Sequence, residues 1–231
     1  MTETVLITGS NRGIGLELAR QYATQGWRVL ACCRHPDQAT ALNRLGDKFP
    51  NITLHTLDVT RKDQVQKLAA DLHDCPIDIL FNNAGIYGLD DAAFGNTDEA
   101  RWLECLRTNV IAPMKMMEAF MTHVAASKHK LIAAMSSKMG SMADNGSGGS
   151  YIYRSSKAAL NAVMKSAAID LAPRRVKVAI LHPGWVQTDM GGPGAEISAA
   201  ESVGRMREIL GTITPENSGT FFDIDGTTIP W

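Results

Sequence analysis

Short apolar runs separated by longer stretches of helical periodicity set the character of this chain. The runs Val5–Thr8, Arg28–Cys33, Ile52–Leu57, Ile77–Asn82, Leu131–Met135 and Val176–Leu181 are of strand length. Between them, residues 14–25, 39–48, 62–73, 99–121 and 151–171 carry apolar positions at helical spacing. A short helix at 199–210 then precedes a last strand at 220–224. This alternation predicts an α/β fold with a doubly wound parallel sheet of about seven strands, helices on both faces and right-handed crossovers. Within the stretch 99–121, Asn109 stands four residues before Pro113, where a helix is expected to bend.

The chain has 231 residues, enough for one large domain and a sizeable core, and no linker or internal repeat divides it, so 1–231 is read as a single domain. A net charge of −1 gives no reason to expect nucleic acid or an anionic membrane as partner, and a small molecule fits better. No long apolar span or leader-like start is present, which makes a soluble, cytoplasmic protein the expectation. Four cysteines, two of them adjacent as Cys32 and Cys33, lack metal-ligand spacing and read as reduced thiols, so no metal is expected. Met114, Met116, Met117 and Met121 read as packing residues, and His182 as a satisfied buried histidine. Two segments are rich in Gly or Ser, Asp144–Ser150 and Gly191–Gly194. The second reads as part of a mobile substrate lid within 187–210.

Candidate chemistry gathers at three places. Gly9, Gly13 and Gly15 follow the first strand and lead into a helix. Absent side chains let backbone N–H groups of this loop, with Ser10, Asn11, Arg12 and Ile14, approach a pyrophosphate at the helix start. Tyr153 and Lys157 are four apart and share a helical face, so an ammonium can act on a phenol. Tyrosine titrates near ~10, and proton transfer near neutrality calls for a shift of roughly three units, part of which a nearby cation supplies. The third place is the end of the second strand, Cys33-Arg34. Arg34 and Arg12 supply cations for a ribose 2′-phosphate and point to NADP(H), while Asp37 could still reach an unphosphorylated ribose.

The spacing Thr8-Gly9-x-x-x-Gly13-x-Gly15, with Asn82-Asn83-Ala84-Gly85 and Tyr153-x-x-x-Lys157, resembles the short-chain dehydrogenase/reductase family across essentially the whole chain. That resemblance implies a Rossmann-type sheet and places Asn83, Ala84 and Gly85 beside the cofactor. It implies that Asp58, followed by Val59, receives the adenine amino group. Ser137 would hydrogen-bond the substrate oxygen while Ser136 serves the backbone. Asn109 would hold a water linked to Lys157. Pro183, Gly184, Val186 and Thr188 match a nicotinamide-contacting loop, with Val186 bonding through its backbone and Thr188 through its hydroxyl. A homodimer or homotetramer is implied, using the helices at 99–121 and 151–171.

More narrowly, Asn11-Arg12-Gly13, Phe81–Gly85, Tyr153–Asn161, His182–Gly192 and the terminal Asp225-Gly226 and Pro230-Trp231 look like the Sniffer-type carbonyl reductase and C-factor branch. This implies NADPH-dependent reduction of small aldehydes, ketones or quinones, with Tyr153 as proton donor. Ile86, Tyr87, Met139, Trp185 and Met190 would line an apolar pocket. Two other readings stand beside it: a cofactor-binding signalling or sensor protein like the C-factor, and an NAD-dependent alcohol or sugar dehydrogenase.

Overall fold

A computed structural model describes residues 2–88, 93–192 and 194–231. Seven parallel strands form one sheet in the order β3-β2-β1-β4-β5-β6-β7. They are β1 (Thr4–Thr8), β2 (Arg28–Cys33), β3 (Ile52–Thr56), β4 (Ile79–Asn82), β5 (Leu131–Met135), β6 (Lys177–Leu181) and β7 (Thr220–Phe222). The helices are α1 (Gly13–Thr24), α2 (Thr40–Lys48), α3 (Lys62–Asp71), α4 (Glu99–Leu106), α5 (Ala112–Ala125), α6 (Tyr151–Leu171) and α7 (Ala199–Gly211).

Alternate strand residues face opposite sides of a sheet, and two cores result. Leu6, Leu30, Leu80, Ile132 and Val178 pack with Val65, Phe120 and Leu160 of α3, α5 and α6. Val5, Ile7, Val29, Phe81 and Ala133 pack on the other side with Leu18, Leu42 and Met206 of α1, α2 and α7. Helices thus cover both faces, as the alternation predicted. Register is fixed in the centre by pairs such as Leu6 with Leu30 and Leu6 with Leu80. Truncating a buried leucine of this kind to alanine costs ~2–5 kcal/mol. Local signals set several helix ends: Asp98 caps α4 by accepting from the Arg101 N–H at 2.8 Å, and Ser198 caps α7 by accepting from Glu201 at 3.1 Å.

Three expectations change. The helix foreseen over 99–121 is two helices joined by a π-helical turn at Arg107–Ile111, and α5 runs on to Ala125. Pro113 is the second residue of α5, directly after the π turn, in the first turn of the helix where proline is tolerated. Met116, Met117 and Met121 pack in the core, but Met114 is exposed. In the segment foreseen as a lid, residues 199–210 form a core helix, with Val203, Met206, Ile209 and Leu210 buried and Gln21 of α1 donating to the Ala200 carbonyl.

Sheet order reverses between β1 and β4, which opens a crevice at the carboxyl ends of the strands. Gly9, Asn82, Ser136 and His182 all follow or end strands at that edge.

Candidate active site

The glycine loop has the shape that only glycine allows. Gly9 and Gly13 hold φ of 69° and 54°, and a Cβ on Gly15 would lie 2.1 Å from the Gly9 carbonyl oxygen. Arg12, at the cap position of α1, is extended and its side chain makes no capping bond. The N–H groups of the first helical turn therefore remain for an acceptor from outside, which fits a dinucleotide pyrophosphate. Ser10 is buried with its hydroxyl on the Ile7 carbonyl at 2.8 Å, whereas Asn11 is exposed and Ile14 half-buried.

The β4 end is stitched to this loop. Asn83 donates from Nδ2 to the carbonyls of Thr8 and Gly9 at 2.8 and 3.1 Å, and the Thr8 hydroxyl accepts from the N–H groups of Asn83 and Ala84 at 3.0 Å each. Asn82 is buried and its Nδ2 has no partner among the described residues. Asp58 turns the chain after β3 by accepting from the Thr60 N–H and hydroxyl at 2.9 and 2.7 Å, both through Oδ1, while Val59 packs on the core. Arg34 stands exposed at the end of β2. Arg12 has another partner: its Nη1 lies 2.6 Å from Asp189, both side chains being well exposed.

After β6, the chain folds back towards the glycine loop. A Cβ on Gly13 would meet the Thr188 methyl at 3.2 Å. The Thr188 hydroxyl is engaged locally, donating to the Val186 carbonyl at 3.4 Å and accepting from the Gly191 N–H at 3.2 Å. Val186 bridges to Ile197, the Pro183 carbonyl accepts from Ser202 at 2.6 Å, and Gly184 takes φ of 79°. Trp185 and Met190 are both about half exposed, and the Trp185 indole donates to the Gly191 carbonyl. His182 differs from expectation: its buried Nδ1 has no partner among the described residues, and burial lowers its pKa.

Four polar residues converge where β5 ends and α6 begins. Tyr153 and Lys157 lie on the buried side of α6, and Ser137 follows β5. Ser137 stands close enough to Tyr153 to act on its phenol, and the Ser137 hydroxyl accepts from the Met139 N–H at 3.2 Å. Ser136 points elsewhere, donating to Asn161 Oδ1 at 2.5 Å, so its partner is a side chain and not the backbone foreseen from the family resemblance. Lys157 donates to the Met135 carbonyl at 2.7 Å, and its Nζ stands 5.6 Å from the Tyr153 ring centroid. Asn109, buried in the π turn, donates to the Ile86 carbonyl at 2.8 Å and accepts from the Ile86 N–H at 2.9 Å. Its amide is thereby tied to the loop after β4.

Electrostatics here depart from the simple tyrosine–lysine expectation. Burial raises the Tyr153 pKa above its usual value, with the neighbouring Ser137 hydroxyl opposing. Burial also brings Lys157 down to about 8. In a dry site, loss of hydration governs both groups, and neither shift is traced to the other.

Tyr87 stacks on Tyr153 with centroids 4.4 Å apart, and its hydroxyl lies 3.2 Å from Ser150 and 3.9 Å from the Met139 sulfur. Ser150, just before α6, is left-handed at φ 46°. Arg154 ties the loop between Ser137 and Tyr153 to α6, donating to the Ser147 hydroxyl and to the Gly148 and Met139 carbonyls at 2.8, 3.2 and 3.4 Å. Gly140 lets this loop touch α6 directly: a Cβ there would lie 2.8 Å from the Lys157 carbonyl carbon. Neither Gly140 nor the Met135 carbonyl carried a signal tied to Lys157 in the sequence. Asn161 lies one helical stretch beyond the Tyr–Lys pair and was legible only as part of that segment.

A crevice holding a glycine loop on one side and a tyrosine–lysine turn on the other, at the switch point of a parallel sheet, belongs to the dinucleotide-dependent oxidoreductases. The chain is a member of the short chain dehydrogenase family, whose model matches residues 3–196. It is 43% identical over 156 residues to the C-signal of Myxococcus xanthus, a match covering 68% of this chain and 93% of that protein. The carbonyl reductase Sniffer of D. melanogaster is 34% identical, with a TM-score of 0.92 and both chains covered completely. An NADPH-bound carbonyl reductase from chicken fatty liver is 31% identical, with a TM-score of 0.93 and coverage of 100% and 99%.

Proposed function

We propose that this protein reduces the carbonyl group of small aldehydes, ketones or quinones with NADPH. The observation that carries this reading is the convergence of Ser137, Tyr153 and Lys157 in one buried site, with the Lys157 Nζ 5.6 Å from the Tyr153 ring centroid. The α1 N-terminus would hold the pyrophosphate of NADPH and Pro183, Gly184, Val186 and Thr188 its nicotinamide, and the bound cofactor would supply the hydride for the carbonyl carbon. Ser137 donates to the carbonyl oxygen and stabilises the charge that grows there. Tyr153 then gives that oxygen its proton. Lys157, with a pKa of about 8, is suited to returning a proton to Tyr153 near neutrality. Tyr87 and Met139 form the pocket wall over Tyr153, and Trp185 and Met190 meet substrate from the other side.

The serines separate by role. Ser137→Ala is expected to lower kcat/KM by about a hundredfold. Ser136→Ala is expected to lower stability by ~1–3 kcal/mol with smaller kinetic effect, because Asn161 loses a buried donor. Steady-state kinetics and denaturant melts check both, and equal kinetic loss in the two variants would reverse the assignment.

Arg34 is assigned the ribose 2′-phosphate, and the NADPH bound to the chicken-liver relative supports that cofactor. Arg34→Ala is expected to weaken NADPH binding about tenfold, roughly 1.4 kcal/mol, and NADH binding within about twofold. Fluorescence titration of both nucleotides measures this, and equal change in the two would remove Arg34 from the role. Exposed Leu103, Ile111 and Met114 along α4, the π turn and α5 support a homodimer or homotetramer built on those helices. Four buried free cysteines fit a cytoplasmic site.

The test is to follow NADPH and NADH consumption over a panel of aldehydes, ketones and quinones. NADPH-dependent turnover supports the reading. Preference for NADH with alcohols or sugars supports an NAD-dependent dehydrogenase. NADPH binding without turnover favours a signalling role, the second reading, for which the identity to C-signal is the motive.

A further inference from the structure

Ser156 lies between the proton donor and Asn109, and nothing in the mechanism above uses it. It is fully buried, one residue before Lys157, on the side of α6 that meets α4 and the π turn. Its hydroxyl donates to the Tyr153 carbonyl at 2.8 Å and accepts from Asn109 Nδ2 at 3.0 Å. The Cys105 thiol approaches the same oxygen at 3.5 Å. A continuous chain of bonds therefore runs from the Ile86 main chain through the Asn109 amide and the Ser156 hydroxyl to the Tyr153 main chain. Across this chain stands Gly85, where a Cβ would lie 3.2 Å from Asn109 Oδ1 and 3.6 Å from Lys157 Nζ. The lysine and the π turn are thus immediate neighbours. Whatever holds the turn against α6 therefore acts beside the buried lysine.

We propose that Ser156 is a positioning residue for proton transfer, its hydroxyl locking the Tyr153–Lys157 turn of α6 to the amide of Asn109. This rests on the reading that Tyr153 donates the proton. Buried hydrogen-bond networks fix one arrangement because every alternative strands a polar group. Without the Ser156 hydroxyl, the Asn109 amide keeps Ile86 and the weak sulfur acceptor Cys105, and the turn is free to part from α6 and admit water. Titratable groups facing Lys157 are Tyr153 on its own helix and Cys105 on α4.

The experiment compares native protein with Ser156→Ala, Ser156→Cys, Asn109→Ala and the Ser156→Ala/Asn109→Ala double variant. Measured are kcat, KM, NADPH affinity and the titration of Lys157 by NMR of labelled lysine. Ser156→Ala is expected to lose about tenfold in kcat with KM and NADPH affinity within about twofold. Its Lys157 titration moves upward from about 8, towards the solvated value. The double variant loses no more than the worse single one, because both break the same chain. Ser156→Cys keeps a side chain of the same shape, slightly larger and with a poorer acceptor, and falls between, which serves if the alanine variant does not fold. Native kcat and native lysine titration in the folded Ser156 variant, or losses that simply add with Asn109→Ala, overturn the proposal. If native protein turns over no carbonyl, the reductase reading fails, and the lysine titration still decides whether Ser156 holds the turn.

Discussion

Tyr153→Phe is expected to lower kcat by about a thousandfold, while NADPH affinity stays within about twofold, because a positioned general acid contributes 10²–10⁴ in rate. Phenylalanine keeps the buried ring that stacks on Tyr87 at 4.4 Å, so the pocket wall persists. What disappears is the hydroxyl that Ser137 faces. Ser137 then polarises the carbonyl with no proton to follow. Residual turnover should be insensitive to a further Ser137→Ala change only if the two act as a unit, and kinetics on the double variant reads that coupling. Unchanged turnover in Tyr153→Phe would falsify the assignment of the proton donor.

Lys157→Met is expected to have the second largest effect, and its two consequences run in opposite directions. Turnover should fall by about a hundredfold or more, since no group remains to return the proton. Stability of the ligand-free protein at pH 7 should not fall in step. Burial lowers Lys157 from 10.5 to about 8. Between those values the unfolded chain binds more protons than the folded one, so native stability rises with pH across that window, by up to ~3 kcal/mol. Below pH 8 the full cost of a buried ammonium is present; above 10.5 it is gone. Methionine carries no such cost but loses the bond to the Met135 carbonyl. Urea melts of both proteins from pH 6.5 to 10.5 should therefore show Lys157→Met gaining relative to native at the low end and losing that advantage on the way up. Parallel pH curves for the two would show that the lysine titrates as if in water.

The sheet, its helices and the Tyr153–Lys157 face were legible because each rests on short-range spacing: strand-length apolar runs, helical periodicity, and i to i+4 placement. The π turn was legible only as a bend. Pro113 marks where regular helix must restart, but nothing in Arg107–Ile111 distinguishes a wider turn from a kink. Contacts distant in sequence were out of reach. Arg12 was expected to be a phosphate ligand and is paired with Asp189, 177 residues away. Ser136 finds Asn161, and Lys157 finds a main-chain carbonyl, an acceptor that every residue possesses. The direction of the Tyr153 shift was misjudged for the same reason: the helix face was visible, but the depth at which β5, Tyr87 and the π turn bury it was not.

Gly140 has a consequence for how this scaffold could be changed. Because the chain after Ser137 lies directly against the backbone of Lys157 at that glycine, the serine is indexed to the tyrosine helix before the Gly/Ser-rich loop begins. Arg154 pins the same loop near its far end, at Ser147 and Gly148. Residues 142–146 run between these two posts and are tied to the chain's last residues, where the Ala143 N–H donates to the Trp231 carbonyl at 2.8 Å, so an exchange in this stretch has to preserve that C-terminal anchor if the reacting groups are to keep their places.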